Sequence, residues 1–143
     1  MNFNIDLNVA ELQKRVDQVV KQFPEAGEQC IERACLIVEG QSRENCPVDL
    51  GTLRESITHK TVRKRGEVEG YVYTNEEYAP HVEFGTGIYA DNGQGRQTPW
   101  VYKTRDGKFY KTQGQAPKKF ISNALISERD KVVAEFRRFL DHV

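Results

Sequence analysis

The chain has 143 residues, enough to bury a core without metal or disulfide staples, and its length points to one domain. Lys+Arg and Asp+Glu both number 21, so the formal charge is zero, which argues against a dedicated nucleic-acid binder with its usual basic excess. A charged fraction of 29% and a mean hydropathy of -0.68 imply a well-solvated surface.

The amino terminus, Met-Asn-Phe-Asn-Ile-Asp-Leu, has neither a basic start nor an apolar run, so no signal peptide is expected. No stretch is long and apolar enough for a membrane span, and folding in cytosol is expected. Val9, Leu12, Val16, Val19, Val20 and Phe23 recur at three- and four-residue steps and predict a helix over 8–23, with Asn8 as its N-cap. Pro24 breaks that helix and is placed to open the next at its first turn. A second helix over 25–44 carries Cys30, Ile31, Ala34, Cys35, Ile37 and Val38 as an apolar stripe, and Pro47 stops it. The three cysteines, Cys30, Cys35 and Cys46, match neither a zinc clip nor a redox pair. They read as inert thiols of a reducing compartment.

A short helical turn over 49–56 is expected, capped by Asp49. Residues 57–64 and 67–74 then form a hairpin around Lys64, Arg65 and Gly66, with Val68, Gly70 and Val72 alternating along one side. Residues 77–84 are compact and aromatic. Residues 85–98 are rich in glycine and read as a loop long enough to carry function. A second hairpin follows at 99–112. A two-residue Asp106-Gly107 turn there pairs Thr104 with Phe109 and Tyr102 with Lys111, so that Trp100, Tyr102 and Phe109 share a face. Two strands alone are marginal in water, so these rings must bury against either the domain's own sheet or a neighbouring subunit. A last helix over 117–142 turns Ile121, Leu125, Val132, Phe136 and Leu140 to its apolar side.

Catalytic signatures are lacking. No phosphate-binding loop follows a glycine cluster, and no serine sits in a nucleophile elbow. His59, His81 and His142 match no zinc-ligand spacing, so neither metal nor cofactor is expected. His81 and Glu83 would serve a small hydrolase only if one pocket held both. The basic run Lys60, Arg63, Lys64 and Arg65 is the candidate for DNA contact, although Glu67 and Glu69 beside it cancel part of its charge.

Three strings taken together carry a resemblance: Cys46-Pro47-Val48-Asp49-Leu50-Gly51-Thr52-Leu53-Arg54-Glu55-Ser56-Ile57, Tyr78-Ala79-Pro80-His81-Val82-Glu83-Phe84-Gly85-Thr86-Gly87, and Gly114-Gln115-Ala116-Pro117-Lys118-Lys119-Phe120-Ile121. Their order and spacing resemble the tail-completion or neck (head–tail connector) family of long-tailed phages, the gene-product-ten-like family, from about residue 10 to about residue 140. Leu50 departs from the threonine that many members carry before the glycine.

The resemblance implies an α+β fold, a small antiparallel sheet packed against amino- and carboxy-terminal helices. It also implies a structural virion protein, not an enzyme. Such a protein forms a ring, a hexamer in the virion, at the head–tail junction. Its partners would be copies of itself, head-completion or stopper proteins, the tail terminator and the tail tube, with passing contact to the genome. On the matching positions, Pro47 ends a helix, Asp49 caps the next turn and Gly51 lets that turn pack. Leu53 and Ile57 anchor the turn, with Ser56 beside them. Tyr78, Val82 and Phe84 fill the sheet side, next to Ala79, Gly85 and Thr86, and Pro117 and Phe120 lead into the last helix. Glu83 either accepts amides of the Gly85–Gly87 turn or pairs across a subunit boundary. Ile88, Tyr89, Arg96, Trp100, Tyr102 and Phe109 are the candidate subunit interface.

Overall fold

The structure, a computed structural model, describes residues 2–142, with side chains described from Ala10 onward. Helix α1 (Asn2–Gln22) begins well before residue 8, because neither proline nor glycine interrupts that stretch. Asn8 is therefore inside the helix and is not its N-cap; its side chain, like that of Val9, lies outside the described residues. Leu12, Val16 and Val20 are the buried row of α1, whereas Phe23 is half exposed. Helix α2 (Pro24–Asn45) opens on its proline, whose missing N–H belongs to the unpaired first turn. It ends at Cys46, held extended (φ -67°, ψ 133°) by the ring of Pro47.

Helix α3 (Gly51–Ser56) starts one residue later than an Asp49 cap requires. The Leu50 amide bonds the Pro47 carbonyl at 3.0 Å, and that turn makes Leu50 the N-cap residue, with no side chain capping the helix. Asp49 is exposed, and a Cβ on Gly51 would meet nothing within 4 Å, so neither does what its place in the motif implied. Leu53 is fully buried. Strands β1 (Thr58–Lys64) and β2 (Glu67–Tyr73) pair antiparallel from Thr58 with Tyr73 to Lys64 with Glu67.

Helix α2 is the central element, packed by both strands, by α1 and by the two carboxy-terminal helices. Its cysteines show the two sides. The Cys30 thiol points at the Glu135 carbonyl of the last helix, while Cys35 lies beneath Gly70 of β2. Burial pushes the Cys30 thiol up to about 11, and burial likewise raises Cys35 and Cys46. A Cβ on Gly70 would stand 2.5 Å from the Cys35 sulfur and 2.6 Å from Ile31, so the strand reaches the helix only because it carries glycine there.

Helix α4 (Ala79–Phe84) turns Ala79, Val82 and Glu83 inward, the i, i+3, i+4 spacing of one helical face. That geometry leaves Tyr78 and Phe84 outside. They do not fill the sheet side as expected, and Phe84 is 54% exposed. After a 3-10 turn (Gly87–Tyr89) and a loop come β3 (Trp100–Lys103) and β4 (Phe109–Thr112). These strands form a second, separate two-stranded sheet.

The final helix is shorter than 117–142 and broken. Pro117–Lys119 is not helical, Lys119 standing in the left-handed region at φ 47°, and the Lys118 and Lys119 amides bond the Val82 and Glu83 carbonyls at 2.8 and 3.2 Å. Helix α5 (Phe120–Ser127) follows, and α6 (Arg129–Asp141) continues after a turn at Glu128. The buried row of α5 is Phe120, Ala124 and then Glu128, one position off the expected row, so Leu125 faces outward. Phe120, Leu53, Ile57, Cys46, Val82 and Ala79 form the tightest part of the core, knitting α2, α3, α4 and α5 together. Each large apolar side chain buried there contributes roughly 1.5–3 kcal/mol. The architecture is α+β.

Candidate functional site

The motif strings converge on one corner. Glu83, buried on α4, accepts the Ile121 amide at 3.0 Å, the Ser122 amide at 2.9 Å and the Ser122 hydroxyl. A carboxylate here takes up two unpaired donors at the start of α5 and sits at the positive end of that helix. Glu83 thus caps a helix 38 residues away in sequence. Among the described residues its carboxylate bonds neither the Gly85–Gly87 turn nor an ion-pair partner. The second and third motif strings meet through this contact.

Beyond α4 the two strings run side by side. The Thr86 amide bonds the Gln115 carbonyl at 2.9 Å, the Gln115 amide bonds the Thr86 hydroxyl at 2.9 Å, and the Ile88 amide bonds the Gln113 carbonyl at 3.0 Å. The fit is close at Gly87: its φ is +62°, and a Cβ there would collide with the Gln113 carbonyl. The Asp91 amide returns to the Phe84 carbonyl at 2.8 Å, and Lys119 pairs with Asp91 at 3.1 Å. This clasp fixes both ends of the 88–112 excursion.

The excursion itself is mostly exposed. The second hairpin is slipped by one residue from the expected register: Trp100 pairs with Thr112, Tyr102 with Tyr110, and Lys103 with Phe109. The cause is a three-residue connection. Thr104 bonds the Lys108 carbonyl at 2.8 Å, and Gly107 takes a positive φ of 84°, so Arg105, Asp106 and Gly107 all lie in the turn. A one-residue slip moves side chains to the other face. Phe109 therefore lies opposite Trp100 and Tyr102, and Tyr110 takes its place, stacked on Tyr102 with centroids 5.9 Å apart.

Strands β3 and β4 make their substantial contacts with each other and with no helix or other strand. Of the two burial partners expected for the rings, the domain's own first sheet makes no substantial contact with them among the described residues. Trp100, Tyr102 and Thr112 line an open groove of about 1380 Å³ together with Leu50, Tyr78 and Phe84. The guanidinium of Arg96 lies over the Trp100 ring at 5.6 Å. Ile88 and Tyr89 are exposed at the clasp, so the six candidate interface residues all belong to this excursion.

The basic run is dispersed. Thr61 and Arg63 point toward α2, where both bond Glu28, and the Thr61 hydroxyl and then Arg63 hold the Glu28 carboxyl below its ordinary range. On the other face Lys64 pairs with Glu69 at 3.1 Å, and Lys60 lies over the rings of Tyr71 and Tyr73. Among the described residues Arg65 is the member of that run with neither an ion pair nor a ring contact. His81 lines the groove and Glu83 does not; the Glu83 carboxylate is turned to the start of α5 instead. Among the described residues no group of His, Cys, Asp or Glu is placed to hold a metal ion, and no helix is long and apolar enough to cross a membrane.

Comparison with protein families gives a match to the model described as bacteriophage HK97-gp10-like tail component, over residues 10–85. The chain belongs to this family. The match runs from within α1 to the end of α4 and holds the first motif string and the second as far as Gly85, while the third and the second hairpin lie beyond it. As a member, the chain is a structural tail component of a phage virion. No curated protein and no solved structure matches it.

The network that sequence reading missed lies between α2 and β1. His59 bonds Glu39 through Nδ1 and approaches Glu32 at 3.7 Å, while Arg43 reaches both Glu39 (2.9 Å) and the Ile57 carbonyl (2.7 Å). The i, i+4 spacing of Glu39 and Arg43 was a visible signal; the partner across the gap was not.

Proposed function

We propose that the chain is a neck or tail-completion protein that assembles as a ring, a hexamer in the virion, at the head–tail junction. There it joins the finished tail to the head, acting through interfaces and not through catalysis. Its neighbours are further copies, the head-completion or stopper protein, the tail terminator and the tail tube. One observation supports the reading beyond the family: a hairpin of four aromatic residues, clasped at its base, leaves Tyr102, Phe109 and Tyr110 exposed and, among the described residues, packs substantially on no helix or other strand. An isolated two-stranded ribbon is marginal in water, and each ring has about 150–250 Å² to bury. A partner chain supplies what the fold does not, through Ile88, Tyr89, Arg96, Trp100, Tyr102 and Phe109.

Cryo-electron microscopy of phage particles tests this. The expected density is a ring at the junction with residues 85–112 at its contacts. Absence of the chain from finished particles would overturn the reading, as would normal assembly after deletion of residues 88–97.

A further inference from the structure

The net charge of zero conceals a sharp division. Residues 66–95 hold Glu67, Glu69, Glu76, Glu77, Glu83 and Asp91 and neither lysine nor arginine. Residues 96–119 hold seven Lys or Arg and the single acid Asp106. The fold neutralises only part of this. Lys119 meets Asp91, and Lys108 approaches Asp106 at 3.9 Å. Lys103, Arg105 and Lys111 are exposed with no carboxylate within 4 Å among the described residues.

The register decides where these cations point. Trp100, Tyr102 and Thr112 line the groove, so Val101, Lys103, Phe109 and Lys111 occupy the outward face of the ribbon. That face presents two apolar side chains, Val101 at 61% and Phe109 at 68% exposure, flanked by two ammonium groups. On the body, the Ser56 hydroxyl bonds the Thr74 hydroxyl at 2.6 Å and so brings the end of α3 to the 74–78 turn. Glu55 lies on that helix end and Glu76 and Glu77 lie in that turn, with no intramolecular ion pair among the described residues, and the partly exposed Tyr78 follows them in the chain. One surface is apolar with cations, the other aromatic with carboxylates, and both belong to the same chain.

We infer that the outward face of the β3–β4 hairpin docks on the Glu55, Glu76, Glu77 and Tyr78 corner of a second copy of this chain. The inference rests on the assembly reading above and deepens it by naming the two faces that meet. A contact between different patches is head-to-tail, the kind that closes into rings. Neutrality of the whole chain, together with an acidic patch that complements the arm, favours a second copy over nucleic acid as the partner.

The test is sedimentation velocity on the full chain up to about 1 mM, at about 50 and about 500 mM salt. Wild type should self-associate at low salt and weaken at least tenfold at high salt. Lys103→Glu/Lys111→Glu alone and Glu76→Lys/Glu77→Lys alone should each stay monomeric. An equimolar mixture of the two should associate again, because each reversed patch then meets its complement. Rescue in the mixture also shows that both variants are folded. Wild type monomeric throughout, single variants that still associate, or a mixture that stays monomeric would each overturn the inference. So would salt-sensitive retention of a DNA oligonucleotide that the arm variant loses while wild type stays monomeric, since the partner is then a polyanion. None of these results alters the density at the head–tail junction, so failure here is separable from failure of the assembly reading.

Discussion

The two hairpins begin from similar material and end in opposite situations. Each is a short antiparallel ribbon that mixes aromatic residues with lysines and turns at a positive-φ glycine. The first lies on α2. Gly70 lets its backbone touch the helix, and Thr61, Arg63 and His59 reach carboxylates on that helix. The second makes no substantial contact with a helix among the described residues and leaves Tyr102, Phe109, Tyr110 and most of its cations in solvent. Strand pairing alone did not decide the outcome; a helix presenting small residues and carboxylates in the right places did. A ribbon that has such a surface becomes part of the core. One that lacks it is left for another chain.

The comparison can be broken most severely at Gly70. Gly70→Val should destabilise the protein by about 3 kcal/mol, because the added methyl groups meet Cys35 and Ile31 in packed space. Urea unfolding measures it, and a change under about 0.5 kcal/mol would mean that the hairpin is not seated as described. Glu83→Ala should cost about 2 kcal/mol, since the Ile121 and Ser122 amides lose their acceptor at a partly buried helix start. Hydrogen exchange should quicken at those two amides first. Unchanged protection there would rule out the cap.

Acid sharpens the contrast more gently. The Glu28 carboxyl is held low in the folded state, by the Thr61 hydroxyl and then by Arg63, so its contribution is present above the unfolded value of about 4.3 and is lost as pH falls through the folded value. Amides of β1 should therefore lose protection below about pH 4.3, and Glu28→Gln should flatten that dependence. Asp106 is also held low, by the Thr104 hydroxyl and then the Lys108 amide, but its effect should stay within the second turn. The smallest effect is expected on the second ribbon. Tyr102→Ala and Phe109→Ala should each change monomer stability by less than about 0.5 kcal/mol, while disrupting assembly. A large loss of monomer stability would show that the rings are packed within their own chain.

The sequence by itself determined most elements and the family. Periodicity found α1 and α2, the two prolines set the ends of α2, and the motif strings pointed to a gp10-like tail component, which the family match over residues 10–85 bears out. These signals are local, set by side-chain spacing along one helix or by one ring at one peptide bond. Tertiary structure decided the rest. Whether Asp106-Gly107 forms a two- or three-residue turn depends on the backbone bonds of Thr104 and Lys108, and that choice moved Phe109 to the other face. The role of Glu83 was illegible because its acceptor geometry is completed by amides 38 and 39 residues further on. The separation of charge was present in the chain from the start, but which charges stay free depends on which ones the fold brings within reach of each other. Interactions between distant segments carry no periodic signature, so only the folded chain shows them.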